Sequence, residues 1–179
     1  MKRLGVAAPA LILFLVLAFW NLSGGGRMKP VPVNDFDLQK YLGTWYEIAR
    51  MPAPFEKDLA RVTAHYSLRK DGKVRVLNQG YRKNGKGALS TAVGKARFEG
   101  NPATGYLKVS FFGPFYADYD ILALDPDYRY ALVGGGSPRF LWILSRSPEL
   151  PEAVRSDYLE RAAALGYEVS RLIWVRQGE

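Results

Sequence analysis

Residues 61–98 read RVTAHYSLRKDGKVRVLNQGYRKNGKGALSTAVGKARF, and the turn chemistry inside this stretch decides the fold class. Three β-prone runs, Arg61–Arg69, Lys73–Arg82 and Ala88–Phe98, are separated by Lys70-Asp71-Gly72 and Lys83-Asn84-Gly85-Lys86. Asp-Gly and Asn-Gly accept the positive φ that tight hairpins need, and between strand-like runs they are the strongest local hairpin signals. The stretch predicts three antiparallel strands joined in sequence order.

The same grammar continues on both sides. Upstream, Thr44–Met51 reads as a strand stopped by Pro52 and Pro54, which cannot sit inside a central strand. Asn34–Asp37 before Leu38–Leu42 reads as a capped single helical turn, placed to close one end of the sheet. Downstream, Tyr106–Phe112, Tyr119–Leu124, Tyr130–Gly134 and Phe140–Ser145 are parted by Gly113-Pro114, Asp125-Pro126-Asp127 and Gly134–Pro138. Pro151 opens a helix that runs to about Leu165 and stops at Gly166, with Val154, Tyr158, Leu159 and Ala162 on one face. A last short strand, Leu172–Val175, ends the domain. Eight sequential strands would leave two open edges if flat, and closing them into a barrel removes both. The predicted fold is all-β: an eight-stranded antiparallel up-and-down β-barrel with one C-terminal α-helix packed outside. A barrel of eight strands is either filled by its side chains or holds one small ligand.

With 179 residues and 48% hydrophobic types the chain can bury one full core, so one domain is expected. The absence of cysteine excludes disulfides, thiolate metal sites and cysteine nucleophiles. His65 is the single histidine, so a histidine-rich metal site cannot be built and a Ser/His/Asp triad would have to use that residue. The formal charge of +8 is spread over strand-like segments and interrupted by acids, unlike the clustered pattern of nucleic-acid binding. It reads as a solvated basic surface, with attraction to anionic lipid second. No cofactor, metal or nucleic-acid partner is expected.

Met1-Lys2-Arg3 precedes an almost uninterrupted apolar run from Leu4 to Leu22. Residues 1–23 read as a cleavable signal peptide or a retained membrane anchor, since the run approaches the roughly 20 residues that span a bilayer. The basic residues before it place everything after it outside the cytoplasm. Residues 24–32 read as a flexible tether and 33–179 as the folded domain.

Three sets of residues then carry a resemblance: Gly43-Thr44-Trp45 on the first strand, Leu124-Asp125-Pro126-Asp127-Tyr128 between two late strands, and Ser145-Arg146 after the eighth. Together, in this order and spacing, they resemble the three signature regions of the lipocalin family. Longer stretches, including Leu42–Arg50, Val74–Gly80, Phe111–Phe115 and Leu141–Pro148, resemble its bacterial outer-membrane branch. The resemblance implies a calyx that carries a small hydrophobic ligand, a fatty acid or a lysophospholipid, in the bacterial cell envelope, and no catalysis. It also implies that Trp45 closes the barrel floor with Arg146 across its face. The bacterial members carry a lipid-bearing cysteine after the signal, and this chain has none. The expected location is therefore the periplasm, either free or held in the inner membrane by an uncleaved N-terminus.

With Trp45 pointing inward, period-two alternation places Glu47, Ala49 and Met51 on the inner face of the first strand. Matching the lipocalin pattern strand by strand adds Ala64, Tyr66, Val76, Asn78, Val109, Phe111, Tyr119, Ile121, Val133, Phe140 and Trp142. The expected ligand-binding set is Ala49 with these eleven. Small Ala49, Ala64 and Val76 opposite large aromatics would leave an elongated slot, and a filled core of the same residues is the alternative. Glu47 reads either as a satisfied group near the closed end or as a ligand-sensing one. Arg50, Lys57 and Arg61 are candidate partners for an anionic headgroup at the mouth, above an apolar rim of Met51, Pro52, Phe55 and Leu59. Ala64 inward puts His65 outward, away from any catalytic role. An envelope protein acting through partner or membrane-surface contacts, or a lipid- or pigment-modifying enzyme using Glu47 or Tyr119, are the competing readings. A homodimer stays open.

Overall fold

The first strand meets both ends of the chain of hairpins, and that pairing closes the sheet. The computed structural model describes residues 30–83 and 85–178, so the expectations for the N-terminal segment and most of the tether lie outside the described residues. The strands are β1 (Gly43–Arg50), β2 (Ala60–Leu68), β3 (Val74–Tyr81), β4 (Leu89–Phe98), β5 (Tyr106–Phe112), β6 (Phe115–Leu124), β7 (Tyr130–Gly134) and β8 (Leu141–Ser145). Each pairs antiparallel with its sequence neighbour, and β1 pairs with β8 as well as with β2. The result is a closed eight-stranded barrel.

The β2–β3 turn folds as its sequence demands: the Arg69 amide donates to Lys73 O at 2.8 Å, and Gly72 takes φ +77°. β6 begins at Phe115 rather than Tyr119, because Gly113-Pro114 alone turns the chain and Phe112 already faces Phe115 across the hairpin. A ninth strand, β9 (Ile173–Trp174), adds to the upper part of β1. β1 and β2 are paired only from Gly43 to Tyr46, and the C-terminal segment fills the gap where they diverge. There the Gln177 side-chain Nε2 donates to Glu47 O at 2.6 Å and to Val62 O at 3.1 Å, and the Arg61 backbone amide donates to Arg176 O at 2.7 Å.

Alternating side chains build two cores. Inside the barrel, Trp45, Tyr66, Val74, Val76, Ile121 and Val133 pack with Phe36 and Tyr41, which enter from the N-terminal cap. That cap holds α1 (Leu38–Tyr41), whose Gln39 amide donates to Asp37 Oδ1 at 2.9 Å. Outside, α2 (Glu152–Ala164) lays Tyr158 and Ala162 on Ile48, Ala49, Leu132 and Ile143, with Val154 and Leu159 at the margin of the same contact.

One expectation about strand phase is overturned. The register against β8 shifts between Glu47 and Ala49, and the bulge moves one residue of β1 out of alternation. Glu47 still points in, opposite Leu144, but Ala49 and Met51 join the outer core beneath α2 while Arg50 turns inward. Period two holds only as long as the ladder is unbroken.

Candidate ligand cavity

The floor is a cation–π stack tied to the backbone. Trp45 is fully buried and its Nε1 donates to Tyr41 O at 2.8 Å. The Arg146 guanidinium carbon lies 3.9 Å from the Trp45 ring centroid, and its nitrogens donate to Tyr128 O, Thr44 O and Lys40 O at 3.2, 2.9 and 2.7 Å. Gly43 at φ +95° makes room: a Cβ there would come 3.3 Å from Arg146 Nη1 in a backbone conformation that side chains disfavour. This is the physical content of a glycine two residues before the tryptophan.

Above the floor lies a cavity of about 150 Å³ that opens between the β1–β2 and β7–β8 loops. That volume compares with the engineered apolar cavity of about 150 Å³ that takes up benzene, so the barrel is hollow and narrow. Nine of the twelve positions expected to face a ligand line it: Ala64, Tyr66, Val76, Asn78, Val109, Phe111, Tyr119, Phe140 and Trp142. Ile121 and Val133 point into the barrel but pack in the inner core, fully buried, and do not line the cavity. Ala49, out of phase, lies in the core beneath α2.

Polar groups sit at two levels. Low in the cavity, Tyr119 OH lies 2.7 Å from Tyr41 OH and 2.8 Å from Tyr66 OH. Burial raises all three phenols well above their ordinary range, so they remain protonated. Higher up, Arg50 Nη1 donates to Glu47 Oε1 at 2.6 Å, and Arg50 Nη2 donates to the carbonyls of Glu56 and Leu59 at 2.7 and 3.2 Å. Trp142 Nε1 donates to Glu56 Oε2 at 3.3 Å. Burial pushes the Glu47 carboxyl up against the pull of Arg50. It pushes Glu56 well up, helped by the charge of Glu47.

The cations expected at the mouth are employed elsewhere. Arg50 is buried in this ion-pair cluster. Arg61 donates to Gly85 O at 2.8 Å and stacks 4.0 Å from the Tyr81 ring centroid. Lys57 borders an outer groove with Trp174 and Arg176, whose lining shares Glu56 and Leu59 with the cavity. Of the expected rim, Phe55 and Leu59 line the cavity, while Met51 does not. His65 faces outward, its Nδ1 2.9 Å from Thr44 Oγ1.

The sequence reading missed the cavity residues of β4 and Glu56 in the β1–β2 loop. Ser90 and Ala92 line the cavity while Leu89 and Val93, on the opposite face, are exposed, so the apolar-inward rule points the wrong way on this strand. Glu56 reaches the cavity from a single 3-10 turn, Pro54–Glu56, a placement that no periodicity signals.

Comparison with known proteins agrees with this architecture. Residues 36–177 match the family model for a lipocalin-like domain. The chain belongs to the lipocalin family. Among curated lipocalins, it is 48% identical over 178 residues to the outer membrane lipoprotein Blc of Citrobacter freundii, covering 99% of this chain and 98% of that one. It is 38% identical over 135 residues to rat apolipoprotein D, covering 70% and 69% of the two chains. Insecticyanin from the tobacco hornworm shares the lipocalin fold with a TM-score of 0.71 at 24% identity, over 88% of this chain and 89% of that one. Lipocalins are binding proteins for small hydrophobic molecules, and the cavity is where this lipocalin has room for one.

Proposed function

We propose that this lipocalin binds an amphiphile with one alkyl chain, a fatty acid or a lysophospholipid, and carries or stores it in the bacterial cell envelope without transforming it. The observation that carries this reading is a narrow, largely apolar hollow closed below by Trp45. Each CH2 moved from water into such a wall contributes about 0.8 kcal/mol, so affinity accrues along a chain without polar contacts, and the remainder of a long ligand emerges at the mouth. Glu47 is held by Arg50 and the Tyr119 phenol is kept protonated by burial, which supports binding over acid–base turnover. The hollow likewise favours a carrier over a filled barrel that acts only through partners.

Residues Leu4–Leu22 serve as export signal or inner-membrane anchor in this proposal, and the absence of cysteine excludes thioether lipidation of this chain. The curated bacterial relatives are named outer membrane lipoproteins, which supports an envelope location. Purified protein titrated with a fluorescent fatty acid and a lysophospholipid is expected to show saturable quenching of tryptophan emission. Ala64→Trp, which fills the slot, and Trp142→Asp, which charges its wall, are each expected to weaken binding at least tenfold. Absence of saturation with both ligands, or indifference to both substitutions, would overturn the proposal. Native mass spectrometry of the same sample reads out cargo mass and whether the protein is a monomer or a homodimer.

A further inference from the structure

The charges on the cavity wall are of one sign. Among the described residues that line it are Glu47, Glu56 and Asp118, and no Lys, Arg or His. Asp118 is answered by Lys108 Nζ at 2.8 Å. Glu47 and Glu56 are different, because they share one guanidinium. Arg50 Nη1 is 2.6 Å from Glu47 Oε1, but Arg50 Nε stands 3.8 Å from Glu56 Oε2, beyond hydrogen-bond reach. The three side chains are only 2%, 6% and 9% exposed. With both carboxyls ionised the cluster carries one uncompensated negative charge in a poorly solvated wall, which is costly unless a proton or another cation joins it.

The surface beside this cluster is aromatic. The Phe55 and Phe140 rings stack with centroids 6.3 Å apart, and Phe140 and Trp142 with centroids 6.1 Å apart and planes 8° from parallel. All three line the cavity near its mouth. Trp142 turns its Nε1 edge toward Glu56. Aromatic faces attract cations, and quaternary ammonium groups in particular are recognised this way. A carboxylate or phosphate placed here would meet like charge, and the guanidinium beside it, Arg50, is already engaged by Glu47 and by the carbonyls of Glu56 and Leu59.

We propose that Glu47, Glu56, Phe55, Phe140 and Trp142 form a subsite for the ammonium group of an alkyl-chain ligand, so that the cavity selects amine-bearing amphiphiles over free fatty acids. This rests on the alkyl-chain reading given above and narrows it. In the empty protein the surplus charge is met by a proton on Glu56. The groups facing that carboxyl are Glu47 and Arg50 on β1 and Trp142 on β8. An arriving ammonium takes the proton's place, and the proton leaves to solvent. The overall charge of +8 would favour anions, so it cannot produce the same selectivity.

Three ten-carbon ligands of matched chain length separate the contributions: decyltrimethylammonium, decanol and decanoate, titrated into the full protein at pH 7.5 below their aggregation limits. Decyltrimethylammonium is expected to bind at least tenfold more tightly than decanol, and decanoate no more tightly than decanol. In Glu56→Gln the ratio of ammonium to decanol affinity is expected to fall to within about threefold of unity. The order among the three ligands is read on the wild-type protein and does not depend on that variant folding. Decanoate binding as tightly as decyltrimethylammonium would overturn the subsite, as would an undiminished ratio in Glu56→Gln. If decanol binds without any ammonium preference, only the subsite fails. If none of the three saturates, the alkyl-chain reading fails with it.

Discussion

Arg146 shows how much one side chain can organise. Its guanidinium covers the Trp45 ring and donates to three backbone carbonyls that would otherwise be left short of partners at the barrel floor. The cation–π contact alone contributes about 0.5–2 kcal/mol, and orphaned carbonyls add to the loss. Arg146→Leu is expected to lower unfolding free energy by roughly 2–4 kcal/mol, read as a lower urea midpoint with unchanged slope. Asp120 on β6 carries the opposite sign of effect. It is buried with Oδ1 unpartnered, and burial, followed by the charge of Asp118, raises its carboxyl to about 6. The folded state thus favours the protonated acid. This contribution is present at pH 4 and is lost as pH rises through about 6. Asp120→Asn is expected to stabilise the protein by about 2–3 kcal/mol at pH 7.5 relative to wild type, and by little at pH 4. Denaturation at the two pH values checks it, and an equal effect at both would refute the assignment.

At the scale of elements, α2 and the barrel interior are energetically separate. The helix packs on the outer face of β1, β7 and β8 through Tyr158 and the fully buried Ala162, and no residue of it lines the cavity. Ala162→Asp buries an unpaired carboxylate and is expected to cost on the order of 3 kcal/mol or more. Ligand affinity of the folded fraction is expected to change less than about threefold, a size within the small coupling of well-separated sites. Thermal melts and titrations on one preparation test both halves. The β1 bulge is the element that sets the boundary between these two cores, since it sends Arg50 inward and Ala49 outward from adjacent positions.

For the molecule as a whole, every barrel strand pairs on both sides over part of its length, with β9 and Gln177 completing the wall where β1 and β2 part. A ligand that enters the finished barrel and not the unfolded chain must stabilise it by mass action. At a free concentration about 100 times its Kd, an alkyl-chain ligand is expected to add about 2.7 kcal/mol to unfolding. It should appear as a concentration-dependent rise in Tm that Ala64→Trp abolishes. A Tm independent of ligand concentration would mean that the ligand does not bind the folded protein in preference to the unfolded chain.

Turn dipeptides, strand-breaking prolines and the count of β-prone runs were sufficient to specify eight antiparallel strands and an external helix, because these are local preferences that tertiary packing reinforced. Matching the lipocalin pattern along the strands located nine cavity residues. Local logic failed at Ala49, since a bulge is decided by how β1 must meet β8, and at Ser90 and Ala92, whose outward neighbours are the more apolar. It could not pair Arg50 with Glu47 and Glu56 or gather Phe55, Phe140 and Trp142 on one wall. Phe55 meets Phe140 and Trp142 meets Glu56 only across the closed barrel, and Arg50 meets Glu47 and Glu56, its neighbours in sequence, only because the β1 bulge and the 3-10 turn aim all three at one point.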